Sequence, residues 1–504
     1  MMSEADSIVT DDDSERRANL HPPQWQNPPP ADCYQLVIIG AGSAGLVAAE
    51  TAAALGAKVA LIERRLLGGV CLNSGGVPSK TIIRSSRLYA QMHEATRYGA
   101  RAAENIDVDF AAVMQRVRRI RTHLSANDSA HHLRDSGVDV FFGDASFAGT
   151  NSVMVGNASL RFKKALIATG ARPQVPSISG LCEAGYLTNE TIFDLTELPR
   201  RLLVIGGGPL GCELAQAFCR LGARTTIVQS LPLFLDNEER DAAQILADAF
   251  ARDGIEVRLN TTAVAVRSEN GEKHVDLVSD DYKNTVVVDA ILTGIGRAPN
   301  VAGLNLEAAG IKYDGKRGVL VDDFLRTSNP NVYAAGDVCL EHKYTHTATA
   351  SARIVVQNAL FGGRERLGSL VIPWCTYTDP EIAHVGLYVR EANRLDIPVK
   401  TFTVPMHEVD RAVTDSEDGG FVKIHVREGT DEILGATIVA HHAGDMINEV
   451  TLAIVAGMGL RTLGKVIHAY PTQGEAIRKA ADAYNRTRMT TRIQLRLRRW
   501  LARR

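Results

Sequence analysis

The chain has 504 residues, 45% hydrophobic and 23% charged, with 56 Lys+Arg against 58 Asp+Glu and a formal charge of -2. At about 150 residues per domain the length suggests three domains. The balanced charge argues against a surface given over to nucleic acid, and no apolar run reaches the ~18 residues of a membrane helix. The seven Cys include no CxxC pair, so neither a disulfide scaffold nor a metal motif is expected.

In chain order, residues 1–32 read as a disordered tail, with the acidic run Asp11, Asp12, Asp13 followed by Pro22, Pro23, Pro28, Pro29 and Pro30. The tail lacks the basic start and apolar core of a secretory signal, so a cytoplasmic setting with free thiols is expected. Leu36-Val37-Ile38-Ile39 is a continuous apolar run, as a buried parallel strand requires. Gly40-Ala41-Gly42-Ser43-Ala44-Gly45 follows, then an Ala-rich helix to about Leu55 and a second strand, Val59-Ala60-Leu61-Ile62, ending in Glu63. This is a complete βαβ dinucleotide fingerprint. Gly40 allows the tight turn, Gly42 lets a pyrophosphate approach and Gly45 lets helix pack on strand. Glu63, 18 residues after Gly45, is placed for a ribose. The pattern recurs 166 residues later: Leu202-Leu203-Val204-Ile205 leads into Gly206, Gly208 and Gly211, and a second strand ends at Gln229, again 18 residues on. Two nucleotide sites in one chain suggest a flavin and a nicotinamide, with a hydride passing between them.

Three further segments are strands running into glycine turns: Leu166 through Thr169-Gly170 to Pro173, Thr293 through Gly296-Arg297 to Asn300, and Asn331 through Gly336-Asp337 to Val338. Asp337 either accepts from a ribityl hydroxyl of a flavin or caps a helix.

With these segments, Gly68-Gly69-Val70-Cys71 through Pro78-Ser79-Lys80, and His468 through Glu475, the sequence resembles the pyridine nucleotide–disulfide oxidoreductase family over about residues 34–485. That family includes dihydrolipoamide dehydrogenase, glutathione reductase, mercuric reductase and the soluble transhydrogenase. The resemblance implies an α/β fold of two Rossmann-like nucleotide-binding domains plus an α+β C-terminal dimerisation domain. Residues 33–182 would be the first part of the FAD domain, 183–294 the NAD(P) domain, 295–368 the returning FAD part, 369–485 the dimerisation domain and 486–504 a basic tail. It implies a homodimer whose active site draws on both chains. Carried over residue by residue, Gly40, Gly42, Gly45, Glu63, Gly69, Lys80, the Ala145 backbone, Thr169, Gly170, Gly336 and Asp337 would contact FAD. Gly206, Gly208, Gly211, Gln229 and Gly296 would contact the nicotinamide nucleotide. Lys80 and Glu213 resemble the ion pair near the reactive flavin edge, and Cys71, Tyr470 and Glu475 complete the catalytic set.

The resemblance breaks at two places. Where the family has a second cysteine, the stretch Cys71-Leu72-Asn73-Ser74-Gly75-Gly76 has Gly76, so the redox disulfide cannot form within this motif. The other six cysteines lie in other segments, and most read as small core residues. Where disulfide reductases carry an acid–base His, five residues before a Glu, this chain has Tyr470. Tyr titrates near 10 and is a poor proton shuttle at neutral pH. His468, two residues earlier, would point elsewhere in an extended segment. Tyr at that position, and the segment from His346 to Leu360, resemble the mercuric reductase branch, without its C-terminal Cys pair. Gln229 carries neither the acid of NAD-preferring relatives nor a partner for a 2′-phosphate, so NAD and NADP both stay open.

The expected function is therefore an FAD-dependent NAD(P)H oxidoreductase that passes electrons to a small-molecule acceptor without an intact disulfide. The alternatives are transhydrogenase-like hydride exchange, a single-thiol mercuric or disulfide reductase using Cys71, and a non-enzymatic redox-sensing flavoprotein. From Arg486 to Arg504 there are eight Arg and no acid, and Ile493, Leu497, Trp500 and Leu501 share one helical face. That helix would cap the dimerisation domain, or lie on an anionic membrane surface or an acidic partner.

Overall fold

The computed structural model describes residues 11–101, 106–280 and 282–504. The chain divides into two compact units, one of Met1–Pro232 with Val257–Leu370 and the other of Leu233–Glu256 with Val371–Arg504.

The first unit holds α1 (Asp11–Leu20), β1 (Tyr34–Ile39), α2 (Ser43–Ala54), β2 (Val59–Glu63), α3 (Gly69–Ser74), α4 (Gly76–His93), α5 (Phe110–Ser125) and β3 (Val138–Phe142). It continues with β4 (Ala145–Gly149), β5 (Ser152–Val155), β6 (Ala158–Ile167), β7 (Ala171–Pro173), β8 (Arg201–Ile205) and β9 (Arg224–Val228). Its main sheet has the order β3-β2-β1-β6-β5-β4, and Val332–Ala334 adds a seventh strand parallel to β6. β1 pairs parallel with β2 (Leu36↔Val59) and with β6 (Leu36↔Lys164). Successive strand side chains point to opposite faces. Leu36 and Ile38 therefore enter one apolar cluster with α2, and Val37 and Ile39 enter another with Phe141 and Phe162. Burial on both faces is why this segment reads as an unbroken apolar run. Ala48 and Ala52 of α2 share a cluster with Ala348 and Ala352 of the helix Thr345–Leu360, small side chains that let two helices approach closely.

The second fingerprint repeats this plan. β8 lies between β9 (Leu202↔Thr225) and Ala290–Thr293 (Leu202↔Ala290), all parallel, and the helix Pro209–Arg220 follows β8. β7 pairs antiparallel with Arg297–Pro299 (Ala171↔Pro299).

The expected disordered tail needs correction. Residues 1–10 lie outside the described residues, but residues 11–32 are ordered. Leu20 is fully buried, Asn19 Nδ2 donates to Ser125 Oγ at 3.0 Å, and Thr122 Oγ1 donates to the Asp12 carbonyl at 2.7 Å. Farther along, His21 stacks on Phe142 and Trp25 Nε1 donates to the Val140 carbonyl. Composition pointed to a solvated tail because the partners that bury it lie about a hundred residues away.

The second unit is a five-stranded antiparallel sheet in the order Pro373–Thr376, Glu381–Gly386, Ile433–Ala440, Phe421–Arg427, Val399–Pro405. Helices Ala443–Val455 and Glu475–Thr487 pack on it. Leu233–Glu256, expected within the nucleotide domain, belongs to this unit. Trp374 Nε1 and the Tyr388 hydroxyl both donate to the buried Glu238 carboxylate, and Lys423 pairs with Glu239 at 2.7 Å. At the C-terminus Thr491–Leu501 is helical, and none of its residues is buried among the described residues. The expectation of core cysteines holds for Cys212, which is buried, and fails for Cys33 and Cys182, which are exposed.

Candidate active site

β1 ends at Gly40, whose φ is +102° and whose added Cβ would lie 2.5 Å from the Ala168 carbonyl oxygen, so only glycine fits. The chain turns there into α2, where Gly42 is the N-cap and no side chain caps the helix. The amides of the first turn therefore stay open to an anion. Gly45 packs directly on the Gly40 carbonyl, and Gly69 comes against the Gly42 backbone. Glu63, at the end of β2, accepts from Ala41 N–H with one carboxylate oxygen and from Arg65 N–H with the other, both at 2.9 Å. Thr169 lies beside Gly40, and Gly170 follows it in the chain. Thr169 Oγ1 donates to the Asn300 carbonyl at 2.7 Å, and Asn300 Nδ2 returns a bond to the Thr169 carbonyl at 2.9 Å. Ala145 follows β3, whose Phe142 pairs with Glu63.

Gly336 approaches Ala44 in the first turn of α2, and Asp337 lies beside it in a single 3-10 turn, Gly336–Val338. The helix-cap alternative for Asp337 is corrected by its partner: Arg297 Nη1 reaches Asp337 Oδ2 at 2.8 Å. Burial pushes the Asp337 carboxyl above its usual range, against the pull of Arg297 and Lys343. Open helix amides, a glycine-only approach and two carboxylates suit the diphosphate and hydroxyls of FAD, so the residues present fit that group.

The nicotinamide fingerprint matches the first in detail. Gly206 has φ +110° beside Gly294, Gly211 packs on the Gly206 carbonyl, and Gly208 is the uncapped N-cap of Pro209–Arg220. Gln229 Oε1 accepts from Gly207 N–H at 3.2 Å, as Glu63 does from Ala41. Gly296 precedes the Arg297–Pro299 strand, with φ +118°.

Between these fingerprints, Lys80 Nζ on α4 meets Glu213 Oε2 on Pro209–Arg220 at 2.8 Å; Glu213 is buried and Lys80 is partly exposed. Cys71, on α3, is half-buried and a free thiol. A Cβ added at Gly76, the first residue of α4, would lie 3.7 Å from Cys71 Sγ. The Cys71 segment is held by residues that sequence reasoning missed. Arg16 Nη1 donates to Asn73 Oδ1 at 2.7 Å, Arg121 Nη1 to the Asn73 carbonyl at 3.0 Å, and Asn189 Nδ2 to the Ser74 carbonyl at 3.0 Å. No local pattern marks them, because each acts across at least 48 positions.

In the second unit Tyr470 and Glu475 do not pair. The Tyr470 hydroxyl donates to Asp410 Oδ2 at 2.8 Å, and this bond raises its pKa. Glu475 Oε1 accepts from Arg478 at 2.6 Å. His468 turns to Glu449 instead, at 3.0 Å.

The family model described as pyridine nucleotide-disulphide oxidoreductase matches residues 34–353, and that of its dimerisation domain matches residues 372–481. A mercuric reductase from Lysinibacillus sphaericus is 33% identical over 90% of this chain and 83% of its own length. A dihydrolipoyl dehydrogenase from Geobacillus stearothermophilus is 34% identical over 89% and 95%. Among solved structures, the HOCl-induced flavoprotein disulfide reductase RclA from Escherichia coli superposes with a TM-score of 0.80 at 30% identity, covering 89% of this chain and 99% of that one. The paired fingerprints, the Lys80–Glu213 bridge and these matches agree: the chain belongs to the pyridine nucleotide–disulphide oxidoreductase family and is an FAD-dependent oxidoreductase that uses NAD(P)H.

Proposed function

We propose that this oxidoreductase passes electrons from NAD(P)H to a small-molecule acceptor without an active-site disulfide. The observation that carries the reading is glycine at position 76, opposite the lone Cys71 thiol. FAD, when bound, supplies hydride acceptance from the nicotinamide and electron donation to the acceptor. The N-terminus of α2, with Gly40, Gly42 and Gly45, holds its diphosphate. Glu63 and Asp337 take its hydroxyls, and Gly69, Ala145, Thr169, Gly170 and Gly336 complete the backbone cradle. Gly206, Gly208 and Gly211 receive the nicotinamide nucleotide at the second helix N-terminus, with Gln229 beside the ribose and Gly296 closing the approach. Lys80, fixed by Glu213, presents a positive charge at the reactive edge, where it stabilises developing negative charge.

Tyr470, hydrogen-bonded to Asp410, does no proton shuttling at neutral pH, and Glu475 serves to anchor Arg478. The dimerisation domain supports a homodimer. Ile467, 95% exposed in the single chain, and Leu452 and Val455, both exposed, give an apolar surface for that contact. The exposed basic tail helix is assigned to an anionic membrane surface through its apolar and Arg-rich faces.

Steady-state NAD(P)H oxidation against a panel of acceptors tests the reading. Turnover with a quinone or with a thionicotinamide analogue, undiminished in Cys71→Ser, is the expected result. Turnover confined to lipoamide, glutathione disulfide or Hg(II), and abolished in Cys71→Ser, would transfer the function to a single-thiol reductase. Flavin reduction with no turnover on any acceptor would make the protein a sensor.

A further inference from the structure

In the second unit a cluster lies where strand Ile433–Ala440 ends. His441 and His442 follow the strand and lead into helix Ala443–Val455, and Glu417 comes from the loop after the short helix Asp410–Thr414. One ligand atom from each of Glu417, His441 and His442 lies within 4.8 Å of the others. The rings of His441 and His442 are 5.1 Å apart at 83°. Each of the two inner ligands is oriented from behind. His441 Nδ1 is 3.1 Å from Asp379 Oδ1, and Glu417 Oε2 accepts from Gln473 Nε2 at 2.7 Å.

A carboxylate only accepts, so the Nδ1 of His441 carries the proton and the lone pair of the neutral ring is on Nε2. That Nε2 lies 3.4 Å from Glu417 Oε1. Two lone-pair atoms facing one another at this distance need a positive charge between them, either a proton or a metal ion. A His held by a carboxylate on its far nitrogen is the arrangement that metal-binding histidines use to fix tautomer and direction. The exposed His442 adds a third donor that a proton would not need.

We propose that His441 Nε2, Glu417 Oε1 and His442 form a binding site for one divalent first-row transition ion per chain, of the zinc class, with a fourth position left to water. Two imidazoles and one carboxylate match the borderline-soft preference of zinc, and three protein ligands leave a position open. The proposal does not rest on the acceptor assigned above. Gln473 lies between Tyr470 and Glu475, so occupancy would also restrain that segment through Glu417.

The test is calorimetric titration with zinc chloride of the full-length, FAD-loaded protein after chelator treatment. The seven thiols are common to all variants, so the comparison between variants isolates this site. Wild type should take up one more zinc per chain than His441→Gln or Glu417→Gln. Asp379→Asn, which removes only the positioning residue, should weaken that binding about 10- to 100-fold. Zinc should also slow amide exchange over residues 470–475 in wild type and not in Glu417→Gln. His442→Gln, at an exposed position, keeps the Asp379–His441–Glu417 chain and serves if the half-buried changes impair folding; it too should lose the extra zinc. Equal zinc uptake by wild type and all of these variants would overturn the proposal.

Discussion

Replacing Gly76 with cysteine supplies the second cysteine of the family's motif and reverses one of the two departures from the disulfide reductases. The added Cβ would stand 3.7 Å from Cys71 Sγ. In a formed disulfide that separation is about 3 Å, so movement of under about 1 Å closes the bond. Gly76 is not in the left-handed region and opens α4, so a cysteine side chain adds no backbone strain. Closing a ring from residue 71 to residue 76 constrains the unfolded chain by about 2 kcal/mol in the loop-entropy relation. Two measurements read the outcome. Thiol titration of the unfolded, air-oxidised variant should find two fewer than its eight cysteines, the seven of the natural chain plus one. Dithionite titration should take up two electron pairs per flavin, with a thiolate–flavin charge-transfer band midway, whereas wild type takes one pair and shows no such band. A variant with all thiols reactive and a single electron pair would refute the placement of Cys71. The midway band in wild type would refute the disulfide-free reading itself.

Lys80→Met leaves the buried Glu213 carboxylate without its ammonium partner. The expected destabilisation is about 1–3 kcal/mol, below the full value for a buried pair because Lys80 is partly exposed, and denaturant unfolding of Lys80→Met against Lys80→Met/Glu213→Gln isolates it. His384 is buried against Tyr388, accepts from Thr437 Oγ1 and donates to the Gly386 carbonyl, and burial holds its pKa down at about 3. The folded value is below the ordinary one near 6.5, so stability present above pH ~6.5 is lost as pH falls toward 3, at up to about 1.4 kcal/mol per pH unit. Melting curves should show this slope, and His384→Gln should flatten it. Full-length protein should co-sediment with anionic vesicles at low salt while a 1–487 truncation stays in the supernatant; if both stay there, the membrane assignment of the tail helix fails.

The two nucleotide folds were legible because their determinants are local. A continuous apolar run, a glycine with positive φ at its end, and an acid or amide returning to the loop all lie within one βαβ segment. The tail helix was legible for the same reason, from apolar positions at helical spacing. What stayed hidden depends on contacts between distant segments. Asp337 has a side-chain partner 40 residues upstream, in Arg297. Residues 11–32 have a polar, proline-rich composition whose docking depends on Asn73, Ser125, Val140 and Phe142. The His441–His442 pair gains a third ligand only when the sheet brings Glu417 to it. Tyr470 was legible as a departure from the family, but its Asp410 partner was not.

The attachment of α1 also bears on the order in which the chain assembles. The helix precedes the first strand, yet its docking bonds span 106 positions to Ser125 and 110 from Thr122 back to Asp12. During synthesis from the N-terminus, α1 is made before any surface that can receive it, and at ten residues it is too short to persist alone in water. Its bonds to residues 122 and 125 can form only once α5 has been translated, and closing the chain between them costs loop-closure entropy. A segment made before α5 is thus seated only after it, and the Arg16–Asn73 bond ties the Cys71 segment to that seating.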